Sequence, residues 1–206
     1  MLLPSIITTT PQLEMRPEHF KSLGIERSYW NADLTKVSPR GREMIQLWLS
    51  KLPQAVKEGR GMSFFGPFRG GKTAAMCIAL REARCRGATV LCVSSTRIPT
   101  FVAGHHMYDD EETMDHRMRM VDVLGIDDLG KEHYKEGGTS IVEEIIRSRY
   151  GSGKSLLITT NEAEIVGQKY GDGIVSLIRE KAPWVEMPPS DWFEKNKGET
   201  DAFFKG

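Results

Sequence analysis

The residues best placed to do chemistry lie in one octapeptide, GPFRGGKT, running from Gly66 to Thr73. It follows the short apolar run Met62 to Phe65 and opens a helix-like stretch, Ala74 to Arg84. A glycine-rich turn between strand and helix aims backbone N–H groups at one point, and the helix N-terminus adds partial positive charge there. Gly66, Gly70 and Gly71 allow the backbone to close around phosphate oxygens, and the cradle as a whole takes in Pro67, Phe68, Arg69 and Ala74. Lys72 reaches the β- and γ-phosphates, and the Thr73 hydroxyl completes the shell of a magnesium ion. The octapeptide predicts a nucleoside triphosphate site.

Two further polar groups fall at strand ends. VLGI is followed by Asp127-Asp128. A carboxylate at the tip of a buried strand can hold magnesium through water, and a second one beside it can orient or deprotonate an attacking water. Asp127 is the expected metal group and Asp128 the expected base. Because neighbouring strand residues point to opposite sides, the alternative is a polar turn before Leu129-Gly130. SLLITT brings Asn161 to the same sheet edge, where an amide can donate to a γ-phosphate and accept from water. Asn after a strand is also a common turn residue.

The elements that must carry these groups are readable from Met62 onward. Apolar runs at 62–65, 88–94, 121–126, 155–159 and 184–187 alternate with helical patterns at 73–85, 138–150 and 172–181. Near-continuous apolar strands alternating with helices predict an α/β sandwich, a five-stranded and mostly parallel sheet covered on both faces. Ser38-Pro39 is a good helix start, and Met44, Trp48, Leu52 and Val56 fall on one face of the stretch it opens. Residues 1–37, rich in Pro, Thr and charge, read as an arm. The main domain is expected over 38–190 and a tail over 191–206.

At 206 residues the chain suits one such domain. Its 28 Lys and Arg balance 28 Asp and Glu, so any nucleic-acid contact must come from a local patch. The first residues lack a basic start and a sustained apolar core, and no run of about 18 apolar residues occurs. A soluble, cytoplasmic protein without a membrane partner is the expectation. Cys77, Cys85 and Cys92 form no C-x-x-C pair and are read as reduced thiols, and the histidines show no metal-ligand spacing.

Taken together, GPFRGGKT, VLGIDDLGKEH, TSIVEEIIRSRY and SLLITTN resemble the AAA+ ATPases of the DnaC/DnaI helicase-loader and IstB transposition-helper group, in a short form. GIERSYWNADL, Gly24 to Leu34, is similar to the approach segment of the same group, and the resemblance spans about residues 24–187. It implies a P-loop NTPase fold and ATP with Mg2+. Lys72 and Thr73 would be the Walker A pair, Asp127 and Asp128 the Walker B pair, with Glu132 close behind, and Asn161 the first sensor. Lys72, Asp128 and Asn161 are thus the catalytic candidates. The resemblance also implies a replicative helicase or a transposase as partner, single-stranded DNA, and ATP-dependent self-assembly. Tyr29 and Trp30 would lie near the adenine, with plain core packing as the alternative.

Where that group carries an arginine that enters a neighbour's site, this chain has Leu177, on the apolar face of Ile174, Leu177 and Ile178. Where it often has a second sensor arginine, SDWFEKN offers Lys195. An arginine finger is worth on the order of 10³ to 10⁵ in rate, so weak ATP hydrolysis is expected unless Arg147, Arg149, Arg179 or a partner completes the site. Between the second and third strands, Arg97, His105, His106, Tyr108, Arg117 and Arg119 could meet DNA. Asp109, Asp110, Glu111, Glu112 and Asp115 make a solvated helix start the competing reading. A small nucleotide kinase shares the loop and the length, but no arginine-rich lid comes after the fourth strand.

Overall fold

A computed structural model describes residues 15–103, 113–131 and 138–189. Its helices are α1 (Pro17–Ser22), α2 (Pro39–Ser50), α3 (Leu52–Glu58), α4 (Lys72–Cys85), α5 (Ile98–Ala103), α6 (Met114–Met120), α7 (Gly138–Gly151), α8 (Ala163–Tyr170) and α9 (Asp172–Lys181). Its strands are β1 (Met62–Phe65), β2 (Val90–Ser94), β3 (Val123–Asp127), β4 (Ser155–Thr160) and β5 (Trp184–Glu186). They form one sheet in the order β2-β3-β4-β1-β5, with every pairing parallel.

All five expected strands are present, and the apolar runs of β1 to β4 are explained by burial on both faces, whereas the edge strand β5 buries Val185 alone. On one face, α2, α3 and α4 enclose Ile45, Trp48, Phe64, Ile78 and Leu80. On the other, α5 to α9 enclose Ile98, Met118, Ile145, Ile158 and Ile178. Register then does the positioning. Phe65 pairs with Thr160, Ser94 with Asp127, and Ile126 with Ile158, so the ends of β1, β3 and β4 lie level at one edge.

Helix α2 starts where the sequence places it, with Ser38 Oγ accepting from Gly41 N at 3.1 Å. The expected single face through Val56 is divided between two helices. Pro53 lacks an N–H and its ring clashes with the preceding turn, so α2 stops and α3 restarts at Leu52. Helix α8 has no counterpart among the expected helices, because only Val166 and Tyr170 of its eight residues are buried.

The described part of the expected arm, residues 15–37, lies against this domain. Phe20, Leu23, Ile25, Ala32 and Val37 join the core, and Phe20 stacks on Trp30 at 5.3 Å between ring centres. Cys92 N donates to Leu23 O at 2.7 Å, which satisfies part of the β2 edge. A side chain at Gly24, where φ is +72°, would stand 2.1 Å from the Cys92 carbonyl, so only glycine allows this approach.

Candidate nucleotide site

The loop from Gly66 to Gly71 leaves β1 and feeds α4. Its glycines are required by the surrounding backbone. A Cβ at Gly66 or Gly70 would come within 2.4 or 2.5 Å of the Met187 carbonyl, and one at Gly71 within 2.6 Å of the Lys36 carbonyl. Gly66 N donates to Asn161 O at 3.3 Å, which ties the loop to the end of β4. Arg69 takes a left-handed φ of 66°, an uncommon conformation for a non-glycine residue.

Lys72 begins α4, and its Nζ donates to the carbonyls of Gly66 at 2.8 Å and Pro67 at 2.7 Å. The ammonium is thus held over the mouth of the loop, on oxygens that phosphate oxygens can replace. Burial lowers its pKa from the usual lysine value, an effect opposed by Asp128 and Asp127.

Next to it, Thr73 Oγ1 donates to Asp127 Oδ1 at 2.9 Å. Thr159 Oγ1 donates to the same oxygen at 2.6 Å and accepts from Asp128 N at 2.8 Å. Burial raises the Asp127 pKa and Asp128 adds to that rise, while the Thr159 and Thr73 hydroxyls and Lys131 hold it down. One carboxylate and one hydroxyl, 54 residues apart in sequence and in direct contact, suit an octahedral magnesium ion that takes its other ligands from phosphate and water.

Asp128 escapes the alternation of the strand because it lies past the end of β3 with φ at 58°. That left-handed residue turns its side chain into the cleft beside Lys72, Thr73 and Asn161. Ser95 Oγ donates to the Asp128 carbonyl at 2.8 Å, and Leu129 N donates to Thr159 O at 2.8 Å, which fixes the turn. The Asp128 carboxylate pairs with Lys131 Nζ at 2.8 Å.

The cleft measures about 360 Å³ and gathers Phe68, Arg69, Gly71, Lys72, Thr73, Ala74, Asp128 and Asn161. Its far wall is Ser28, Tyr29, Ala32 and Lys36, all from the segment preceding α2. The two approach aromatics therefore divide. Tyr29 faces the cleft, and burial with Asp127 nearby raises its phenol pKa against a hydrogen bond with Thr73. Trp30 instead packs, partly buried, against the core, stacked on Phe20 and donating from Nε1 to Ile25 O at 2.9 Å. A second cavity of about 260 Å³, floored by Trp48, Met62 and Pro183, contains none of the expected site residues.

Thr159 and Lys131 are additions to the sequence reading. A hydroxyl inside the apolar run SLLITT requires a partner, which is the signal Thr159 carries; Lys131 carries none beyond its nearness to Asp128.

The arginine candidates fare unequally. Arg149 is fully buried and donates to the carbonyls of Met118 at 2.8 Å, Arg119 at 3.3 Å, Asp122 at 3.2 Å and Ser155 at 2.7 Å. It is a structural staple and cannot act as a finger. Arg147 pairs with Glu143 at 2.8 Å, and Arg179 lies 5.9 Å from the Trp184 ring centre. None of the three lines the cleft. Leu177 packs on the core with Ile174 and Ile178, as its spacing indicates.

Of the residues expected to face DNA, Arg97 lies over Phe101 at 4.8 Å, Arg117 donates to Ser22 O at 2.8 Å, and Arg119 pairs with Asp115 and Glu144 at 3.1 and 3.0 Å. His105, His106, Tyr108, Asp109, Asp110, Glu111 and Glu112 lie outside the described residues, as do Glu132 and Lys195. Among the described residues no helix is long and apolar enough to cross a membrane.

Neither a protein-family model nor a curated protein sequence matches this chain. Solved structures do. A DnaC helicase loader shares 23% identity at a TM-score of 0.67, over 79% of this chain and 99% of that one. DnaI shares 19% at 0.60, over 79% and 94%. A replication initiator DnaA bound to AMPPCP and single-stranded DNA shares 19% at 0.63, over 79% of this chain and 50% of that one. What is common at these identities is the fold, and this chain shares the α/β P-loop fold, with its five-stranded all-parallel sheet, of the DnaC helicase loader, DnaI and DnaA structures.

Proposed function

We propose that this chain is an ATP-binding switch of the helicase-loader kind, with weak intrinsic ATP hydrolysis. The observation that carries the reading is the convergence of Lys72, the bonded pair Thr73 and Asp127, Asp128 and Asn161 on one cleft at the edge where β1, β3 and β4 end. Lys72 and the loop amides would hold the phosphates, and Thr73 with Asp127 would hold Mg2+, which neutralises charge as the phosphoryl group is transferred. Asp128 would orient the attacking water, and Asn161 would contact the γ-phosphate. Tyr29 would bound the nucleoside.

Slow turnover is a consequence of charge. A finger arginine contributes roughly 10³ to 10⁵ in rate; Leu177 stands where the finger for a neighbouring copy's site would be, and none of Arg147, Arg149 and Arg179 lines this chain's own cleft. Nucleotide state would then act through shape or assembly, with a partner supplying any acceleration. The likeness in fold to a DnaC helicase loader supports a replicative helicase as partner, and the likeness to a DnaA bound to single-stranded DNA supports such DNA, ahead of the transposase of a transposition helper.

Equilibrium binding of labelled ATP with magnesium tests the site. Lys72→Ala should abolish binding, whereas Asp128→Ala should bind ATP and retain it; equal loss in both would overturn the assigned roles. Rapid hydrolysis by the isolated protein would overturn the switch. Capture of helicase by the Asp128→Ala protein in ATP, and its absence in ADP, tests the partner.

A further inference from the structure

Lys131 is a cleft residue that these roles leave unexplained. The turn from Asp128 to Lys131 is closed by Lys131 N donating to Asp128 O at 3.0 Å, with Gly130 at φ 101°. That geometry returns the lysine to the residue it left. Its Nζ is 2.8 Å from Asp128 Oδ2 and 4.9 Å from the Phe68 ring centre, and the side chain lines the same cleft as Lys72, Thr73 and Asn161. Phe68 is itself 68% exposed, so its ring serves the loop as a shelf for the ammonium more than as core.

The pairing occupies a carboxylate oxygen that the hydrolytic role of Asp128 needs free. It is also weak, since both side chains are about one-third exposed, at 38% and 32%, and ion pairs this open to water contribute little. A polyphosphate entering the cleft presents more negative charge than one carboxylate does, so the ammonium has a better partner within reach.

We propose that Lys131 is a second phosphate-binding cation that reads the γ-phosphate. Without triphosphate it rests on Asp128 and Phe68. With triphosphate it moves to the terminal phosphate oxygens, keeping its proton, and releases Asp128 to accept from water. This rests on the ATP reading above and assigns the discrimination of ATP from ADP to a residue of the chain itself.

Titration calorimetry with Mg-ATP and with Mg-ADP on the full chain tests it. Lys131→Ala should bind ADP as the parent does and lose roughly tenfold to a hundredfold in ATP affinity, the worth of a hydrogen bond to a charged group. Lys131→Arg should keep most of the preference. Asp128→Asn should tighten ATP severalfold by removing the competing partner, and that gain should vanish when Lys131→Ala is added. An unchanged ATP-to-ADP ratio in Lys131→Ala, or an equal gain from Asp128→Asn in both backgrounds, overturns the proposal while leaving the ATP site intact. If the parent binds neither nucleotide and Lys72→Ala makes no difference, both the site and the role of Lys131 fall.

Discussion

Replacing Arg149 separates a structural arginine from a catalytic one. Its guanidinium spans four carbonyls, two at the end of α6, one at Asp122 before β3 and one at Ser155 on β4. Burial lowers its pKa from the usual arginine value to about 10, partly offset by Tyr150 and Asp122. That drop corresponds to roughly 3 kcal/mol of cost for keeping the charge inside. Four hydrogen bonds from a charged donor are worth about 1.5 to 3 kcal/mol each, so the charge is retained at a net gain. Arg149→Ala removes these donors, leaving Asp122 O with the bond it accepts from Ser155 N, and opens a cavity where the side chain stood, a loss of about 3 to 5 kcal/mol. For a chain of this size that is a fall in melting temperature of roughly 6 to 20 °C. Urea unfolding followed by circular dichroism measures it, and ATP hydrolysis per folded molecule, taken below the transition, should match the parent. A loss under about 1 kcal/mol, or a collapse of hydrolysis with the fold intact, would refute the structural assignment.

Asp127→Asn should stabilise the nucleotide-free protein at pH 7. Burial raises this carboxyl's pKa in the fold, so its favourable contribution is complete below the unfolded value and is lost as pH rises through the folded one. The gain should shrink on acidification, magnesium-dependent ATP binding should be lost, and a lower melting temperature at pH 7 would contradict the argument. Gly70→Ala places a Cβ 2.5 Å from the Met187 carbonyl and 3.1 Å from that of Pro188, so the loop must shift, and overpacking of this kind costs about 1 to 3 kcal/mol. ATP binding measured by calorimetry should weaken about tenfold or more with the circular dichroism spectrum retained. Thr159→Val leaves Asp128 N without its acceptor and Asp127 with one of its two hydroxyl donors, Thr73, for a loss of about 1 to 3 kcal/mol in urea unfolding.

Much of the fold was legible because strands buried on both faces are apolar throughout, and GPFRGGKT, Asp127-Asp128 and Asn161 end them in order. Less legible were features set by partners distant in sequence. Thr159 reads as one more strand residue until Asp127, 32 positions away, is placed beside it. Lys131 reads as turn polarity. Asp128 looks misdirected under strand alternation, and only its left-handed φ brings it into the cleft. Arg149 is the instructive case. It stands four residues after Ile145 and three after Ile146, on the face of α7 that packs inward, so helical spacing already argues against a finger. Its charge draws attention to function, but its position assigns it to the core.

The charges in the cleft are each in a compromise that one ligand would relieve. Lys72 is an ammonium that burial disfavours, satisfied by two backbone carbonyls. Asp127 is a carboxylate that burial disfavours, satisfied by two hydroxyls. They cannot neutralise each other while Lys72 is turned onto the loop and Asp127 onto Thr73 and Thr159. On the proposed reading, a magnesium triphosphate would bring an anion to the first and a cation to the second, and would remove the reason for Lys131 to remain on Asp128. The free site would then hold part of the free energy that favours nucleotide binding, and the same coupling would let nucleotide state decide which side chains are engaged.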